Sequence, residues 1–244
     1  MDNQKLYDLK IAGSMTVSGG KFNRVTISGE GLITSPVECE DFSVSGMSTV
    51  MGEVNTKYMK VSGKTVINGN LSANHLKISG DSDLRGDIRV KDLNIHGSTS
   101  VSGSVFSEIV QIHGGFSVGG DCTSEQFISK GGFNIRGLIN AGNTDITVHF
   151  PCRAKEIGGE KIHVQKGSGY KFKEFIRNFI SSLDTTGLKC DVIECDDIFL
   201  ECTTAGIVRG NNVTIGPDCK IDLVEYKNFC EISRDAIVKE QRKI

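Results

Sequence analysis

The sequence has no tryptophan, 3 prolines and an aromatic content of 7% across its 244 residues. So few rings cannot supply a core built on aromatic clusters, and so little proline leaves small scope for rigid linkers. No run of residues approaches the ~18 apolar positions of a membrane-spanning helix. The opening residues, MDNQKLYDLK, have neither the basic n-region nor the apolar h-region of a secretory leader, so a cytoplasmic chain is expected. A formal net charge of −2 gives no electrostatic reason to invoke nucleic acid. The chain also lacks a C-x2-C pair, a P-loop, a dinucleotide-binding glycine motif and a G-x-S-x-G elbow. No metal, nucleotide, other cofactor or small-molecule substrate is expected, and no catalytic group. The 8 cysteines, without an export signal, read as free thiols in a reducing compartment.

What is present is a repeat. Glycine recurs at Gly13, Gly29, Gly46, Gly63, Gly80, Gly97, Gly114 and Gly131, 16 residues apart once and 17 thereafter. With each of these glycines as zero, an aliphatic residue stands four places on, from Val17 and Ile33 through Leu84 to Ile135. A second glycine stands at six in all repeats but one, where Ser35 replaces it. Apolar residues hold eight (Val37, Val54, Leu71 and onward), thirteen (Val25, Phe42, Met59 and onward) and two before the next glycine (Ile11, Ile27, Val44 and onward). Internal repetition of this kind decides the fold before any local reading does.

Apolar positions two apart with a polar residue between them describe a strand with one buried face. An α-helix would need apolar residues three and four apart, and the columns do not supply them. The two glycines per repeat mark corners, where positive φ costs glycine nothing. Each repeat therefore reads as about three short strands forming one coil of a solenoid, with coils stacked at roughly 4.8 Å. The expected fold is all-β, a right-handed parallel β-helix of about 17 residues per coil, the hand following from the strong bias of parallel crossovers. A coil at the end of such a stack has an open strand edge that can pair with another chain.

In chain order, residues 1–7 read as a tail and 8–166 as coils of one elongated domain. Ile146 and Val148 are expected to stack under Ile162 and Val164, 16 residues on. Residues 167–188 break the pattern: Phe172, Phe175, Ile176, Phe179, Ile180 and Leu183 fall at helical spacing, with Lys171, Lys173 and Arg177 on the other side. They predict one short inserted amphipathic helix, whose apolar face is a cap on the solenoid or a contact for a membrane surface or a protein partner. Residues 189–226 return to coils, with Ile198 over Ile215, Cys202 over Cys219 and Ile207 over Val224; residues 227–244 read as a charged tail. Stacked core thiols are the expected state of Cys202 and Cys219, and His96 over His113 an outward surface ladder. The candidate assembly ends are Ile11, Met15 and Val17 at one side, and Ile221, Leu223 and Val224 at the other.

Glycine-punctuated β-coils of this length, together with the run DDIFLECTTAGIVRGNNVTIGPDCKIDLVEY at 196–226, resemble the bactofilins, bacterial polymer-forming cytoskeletal proteins, and in particular their longer Gram-positive-type members. The resemblance implies a right-handed β-helix that associates end to end into non-polar filaments without nucleotide. It also implies contact with the inner face of the cell membrane or membrane-associated proteins, and a scaffolding role in cell-shape, cell-wall or motility machinery. The chain departs from the compact family pattern in its length and in the 167–188 insert, which would block assembly if it covered an end.

Two other functions compete with this one. A hexapeptide-type acyltransferase is suggested by one hexad-like run, Ile215-Gly216-Pro217-Asp218-Cys219-Lys220-Ile221. A carbohydrate-active β-helix enzyme would require acidic residues gathered on one face, which the repeat does not provide.

Overall fold

The computed structural model describes residues 6–167 and 187–244, and among these residues there is no helix. Phe172 to Leu183, expected as an amphipathic helix, lie outside the described residues. The described chain is a parallel β-solenoid, and it divides into two compact units, Met1–Gly119 and Gly120–Ile244, where the sequence suggested one domain.

The first unit begins with β1 (Leu9–Ile11), β2 (Ser14–Val17), β3 (Gly20–Lys21), β4 (Arg24–Ile27) and β5 (Glu30–Ile33). Longer and shorter strands then alternate: β6 (Val37–Val44), β7 (Met47–Val50), β8 (Val54–Val61), β9 (Lys64–Ile67) and β10 (Leu71–Ile78). β11 (Asp81–Leu84), β12 (Ile88–Ile95), β13 (Ser98–Val101), β14 (Val105–Ile112) and β15 (Gly115–Val118) complete it. Every strand pairs in parallel with its counterpart one repeat away, so Val37 faces Val54, Leu71 faces Ile88 and Asp81 faces Ser98. The first pairing uses the short repeat, with Ile11 opposite Ile27 and Ser14 opposite Glu30.

Three strands per coil were expected, and the structure resolves how two suffice. Each eight-residue strand contains a bend: in β6, Cys39 pairs with Thr56 and Asp41 with Tyr58, while Glu40 between them is skipped. Glu40 and Asp41 both face away from the core, so the inward phase shifts by one and the strand turns a corner. The four apolar columns of the repeat are buried as read, from Ile33 and Val50 to Leu76 and Ile95. Two inward columns of small residues were not anticipated. One holds Ser48, Thr65, Ser82 and Thr99, the other Cys39, Thr56, Ala73 and Val90, and all are buried.

The glycines at the zero of each repeat owe their place to close approach and not to backbone freedom. Positive φ occurs in glycine at Gly20, Gly52 and Gly159, none of them in that column. A Cβ on Gly80 would instead stand 1.9 Å from the carbonyl oxygen of Gly63, and one on Gly97 would stand 1.9 Å from that of Gly80. The corner of each coil thus presses its carbonyl onto the next, and only hydrogen fits between them.

The second unit contains β16 (Cys122–Ser129), β17 (Gly132–Val148), β18 (Cys152–Lys166), β19 (Leu188–Leu200), β20 (Thr203–Ile215), β21 (Lys220–Ile232) and β22 (Ile237–Lys243). Its registers differ from those expected. Ile146 lies opposite Val164, with the pairing slipping between Ile135 and Leu138 at a bulge. Ile198 lies opposite Val213 and Leu200 opposite Ile215, because Glu201 and Cys202 alone join β19 to β20 and shorten the coil. Cys202 makes that turn in the left-handed region, φ 49°. Ile207 faces Leu223, and Val224 faces Val208. Residues 227–244, expected as a tail, belong to the end of β21 and to β22, which extends the stack by a further strand. The alternation of IVKEQRK there was masked by charge on both faces.

Candidate assembly and binding surfaces

The open edge of the first unit is made by β1 and β2. Among the described residues β1 pairs with β4 and β2 with β5, and neither has a strand on its other side. Ile11 sits in the core at this edge, fully buried, while Met15 is 49% exposed and Val17 partly so. Leu6 and Tyr7 lie exposed beside them, and the Tyr7 carbonyl accepts a hydrogen bond from the Asn23 amide at 2.9 Å, which ties down part of the expected tail. This edge therefore offers unpaired backbone together with apolar side chains, the combination that recruits a further strand.

The second expected set of end residues is placed differently. Ile221 and Val224 are buried and paired with Val238 and Gln241 of β22, and Leu223 is partly buried opposite Glu240. The outermost strand of this unit is β22, which carries Lys239, Glu240, Arg242 and Lys243 beside an exposed Ile237. It is fastened by charge. Glu194, Arg209, Glu225 and Arg242 stand opposite one another on successive strands. Arg209 donates to Glu225 at 2.8 Å and to Glu194 at 3.1 Å, and Arg242 reaches Glu225 at 3.5 Å. The Glu225 side chain, 10% exposed, is covered between its two guanidinium partners. A strand edge so charged resists pairing with another chain.

The chemistry-bearing residues are dispersed or buried. Seven of the eight cysteines are buried and all are free thiols. Burial pushes Cys122, Cys152, Cys190, Cys195 and Cys219 up to about 12, which removes them as nucleophiles near neutrality. Cys202 and Cys219 are both buried, but the expected stacking of one over the other is not kept: the register of β20 on β21 is offset by 16 residues, and the Cys202 thiol points to Asp218. His96 and His113 stack on the outer surface with ring centroids 4.8 Å apart, and Tyr58 and His75 stack similarly at 5.2 Å. His75 Nδ1 meets Asp92 Oδ2 at 2.6 Å on the exposed face. Among the described residues no three His, Cys, Asp or Glu side chains converge as metal ligands. The hexad-like run from Ile215 to Ile221 is the turn between β20 and β21, with Asp218 at φ 61°. Phe172, Phe175, Ile176, Phe179, Ile180 and Leu183, the expected membrane or partner face, are outside the described residues. Among the described residues no helix is long and apolar enough to cross a membrane.

Residues 48–123 match the model of a family described as bactofilin, polymer-forming cytoskeletal. Two proteins of Bacillus subtilis (strain 168) are similar to the chain. One is the uncharacterized protein YhbF, 35% identical over 109 residues, which is 44% of this chain and 42% of that protein. The other is the uncharacterized protein YhbE, 33% identical over 109 residues, 44% of each. The chain spans less than half the length of these relatives. No solved structure matches it.

Proposed function

We propose, from the match of residues 48–123 to the bactofilin family model, that the chain is a bactofilin acting as a non-enzymatic scaffold. It assembles end to end into nucleotide-independent polymers that organise cell-shape, cell-wall or motility machinery in the cytoplasm. The observation that carries this reading is the apolar, unpaired edge of β1 and β2, where Met15 and Val17 lie beside free backbone. A second copy docked there finds backbone donors and acceptors that no strand of the described chain takes up. The buried thiols and the stacked surface histidines of the described residues support a structural role. On sequence grounds, the apolar positions of the 167–188 insert are the proposed contact with the membrane surface or a membrane-associated partner.

Light scattering on the purified chain over a range of concentrations tests the reading. The mass should grow with concentration, and Val17→Asp should shift it towards the monomer while leaving the thermal midpoint within a few degrees. Growth that is unchanged by Val17→Asp would remove the β1–β2 edge from the account.

A further inference from the structure

One outward face of the second unit breaks the charge pattern kept elsewhere in the same strands. Its first row runs Asn134, Arg153, Lys189, Thr204, Lys220 and Ile237, each opposite the next on neighbouring strands. Arg153 thus faces Lys189 directly, which places two cations opposite one another on neighbouring strands. Beside this row lie Arg136, Lys155 and Lys239, with Asp191 and Asp222 as the carboxylates among them. Asp222 is taken up by Lys239 at 2.6 Å. Arg136, Lys189 and Lys220 have no ion-pair partner among the described residues, whereas the Glu194–Arg209–Glu225–Arg242 row of the same unit alternates in sign and pairs throughout. The chain as a whole is slightly acidic, at −2, so this face is a local concentration of cations.

Shape accompanies the charge. Ala205 and Gly206, small residues in mid-sheet, form the floor of a groove with Lys189, Lys220 and Lys239 around it. From Lys189 to Lys220 is two rungs, roughly 9.6 Å at about 4.8 Å each. Cations in file beside a recessed floor fit a chain of negative charges better than a flat anionic surface. The two rows carry no aromatic side chain on which bases could stack, which disfavours single-stranded nucleic acid.

We propose that this groove binds a linear polyanion, a chain of phosphate groups lying across the strands from Arg153 past Lys189 to Lys220. Arg136, Lys189 and Lys220, which have no ion-pair partner among the described residues, then find one in the ligand. The site is separate from the β1–β2 edge, so it goes beyond the scaffold reading and can fail or hold without it.

The test uses the full chain with inorganic polyphosphate as probe, followed by fluorescence anisotropy across a salt series. Saturable binding that weakens steeply with salt is expected. Lys189→Gln/Lys220→Gln should lose about tenfold or more in affinity, while Lys227→Gln, an exposed cation on another face of the unit, should stay within about twofold. Val17→Asp should bind as the parent does. The thermal midpoint of the double variant should stay level or rise, and if it falls, Arg136→Gln/Lys220→Gln reads the same face. Absence of saturable binding at low salt overturns the proposal, as does a double variant that binds undiminished. Equal affinity for single orthophosphate would reduce the groove to an isolated anion site. Binding to anionic vesicles without binding to polyphosphate, lost in the double variant, would make the occupant a membrane surface and refute the polymer.

Discussion

At the scale of single residues, the stack is held by columns whose members were not equally visible beforehand. Gly80→Ala should cost about 1–3 kcal/mol or more in urea denaturation, since its methyl would meet the Gly63 carbonyl oxygen at 1.9 Å, backbone that cannot swing aside. Gly115→Ala is the matched control, with Ser98 Oγ 3.9 Å away, and should be neutral or slightly stabilising. The buried hydroxyls divide in the same manner. Ser48 and Thr65 bond each other at 3.0 Å, so Thr65→Val strands a partner and should cost roughly 1–3 kcal/mol. Thr99 Oγ1 has no partner, so Thr99→Val should be neutral or stabilising. The aliphatic columns could be read from the sequence because hydrophobicity reports burial directly. The Ser48–Thr99 column could not, because an inward serine or threonine looks the same on paper as an outward one. The zero-column glycines were visible by position, yet their cause lies in contact between coils that no single repeat contains.

Thiol titration also belongs to this scale. Cys122 and Cys152 rise from the ordinary 9.0 to about 12 because burial disfavours the thiolate. Above pH 9 the unfolded chain releases these protons and the folded chain keeps them, so folding stability is full below 9 and falls as pH climbs towards 12. The slope is about 1.4 kcal/mol per pH unit for each such thiol. Urea midpoints measured from pH 7 to 11 should stay level to about 9 and then decline, and a Cys122→Ala variant should decline less steeply.

At the scale of elements, a strand here is defined by the strands beside it more than by its own residues. Leu84→Asp puts a charge with no partner into a column where Leu84 is 2% exposed, and should abolish cooperative folding of the first unit as followed by circular dichroism. β22 is the opposite case, a charged strand that the sequence presented as a tail. Its ladder to β21 is reinforced by Lys239–Asp222 and by Arg242 on the covered Glu225, so Glu225→Gln should increase hydrogen exchange in β22 before it affects β19. Registers were legible where the repeat length is constant and illegible beyond Gly137. There the bulge near Ile135 and the two-residue link through Cys202 change the coil length without leaving a periodic mark. The apolar residues of these coils still alternate, which is why strands could be recognised there while their partners could not.

At the scale of the whole molecule, alike coils leave function to surfaces and edges, because every interior position is occupied in holding one coil to the next. The edges differ in character: β1 and β2 are apolar and unpaired among the described residues, and β22 is charged and contacts Glu225. Of the two expected sets of end residues, Ile11, Met15 and Val17 stand on the open β1–β2 edge, because they open the repeat. Ile221, Leu223 and Val224 stand one strand inside the other edge, paired with β22. Electron microscopy of the purified chain, without nucleotide and at increasing concentration, addresses the central claim most directly. The account predicts ordered polymers that lengthen with concentration and shorten or vanish in Val17→Asp. Monodisperse single particles at every concentration would contradict it.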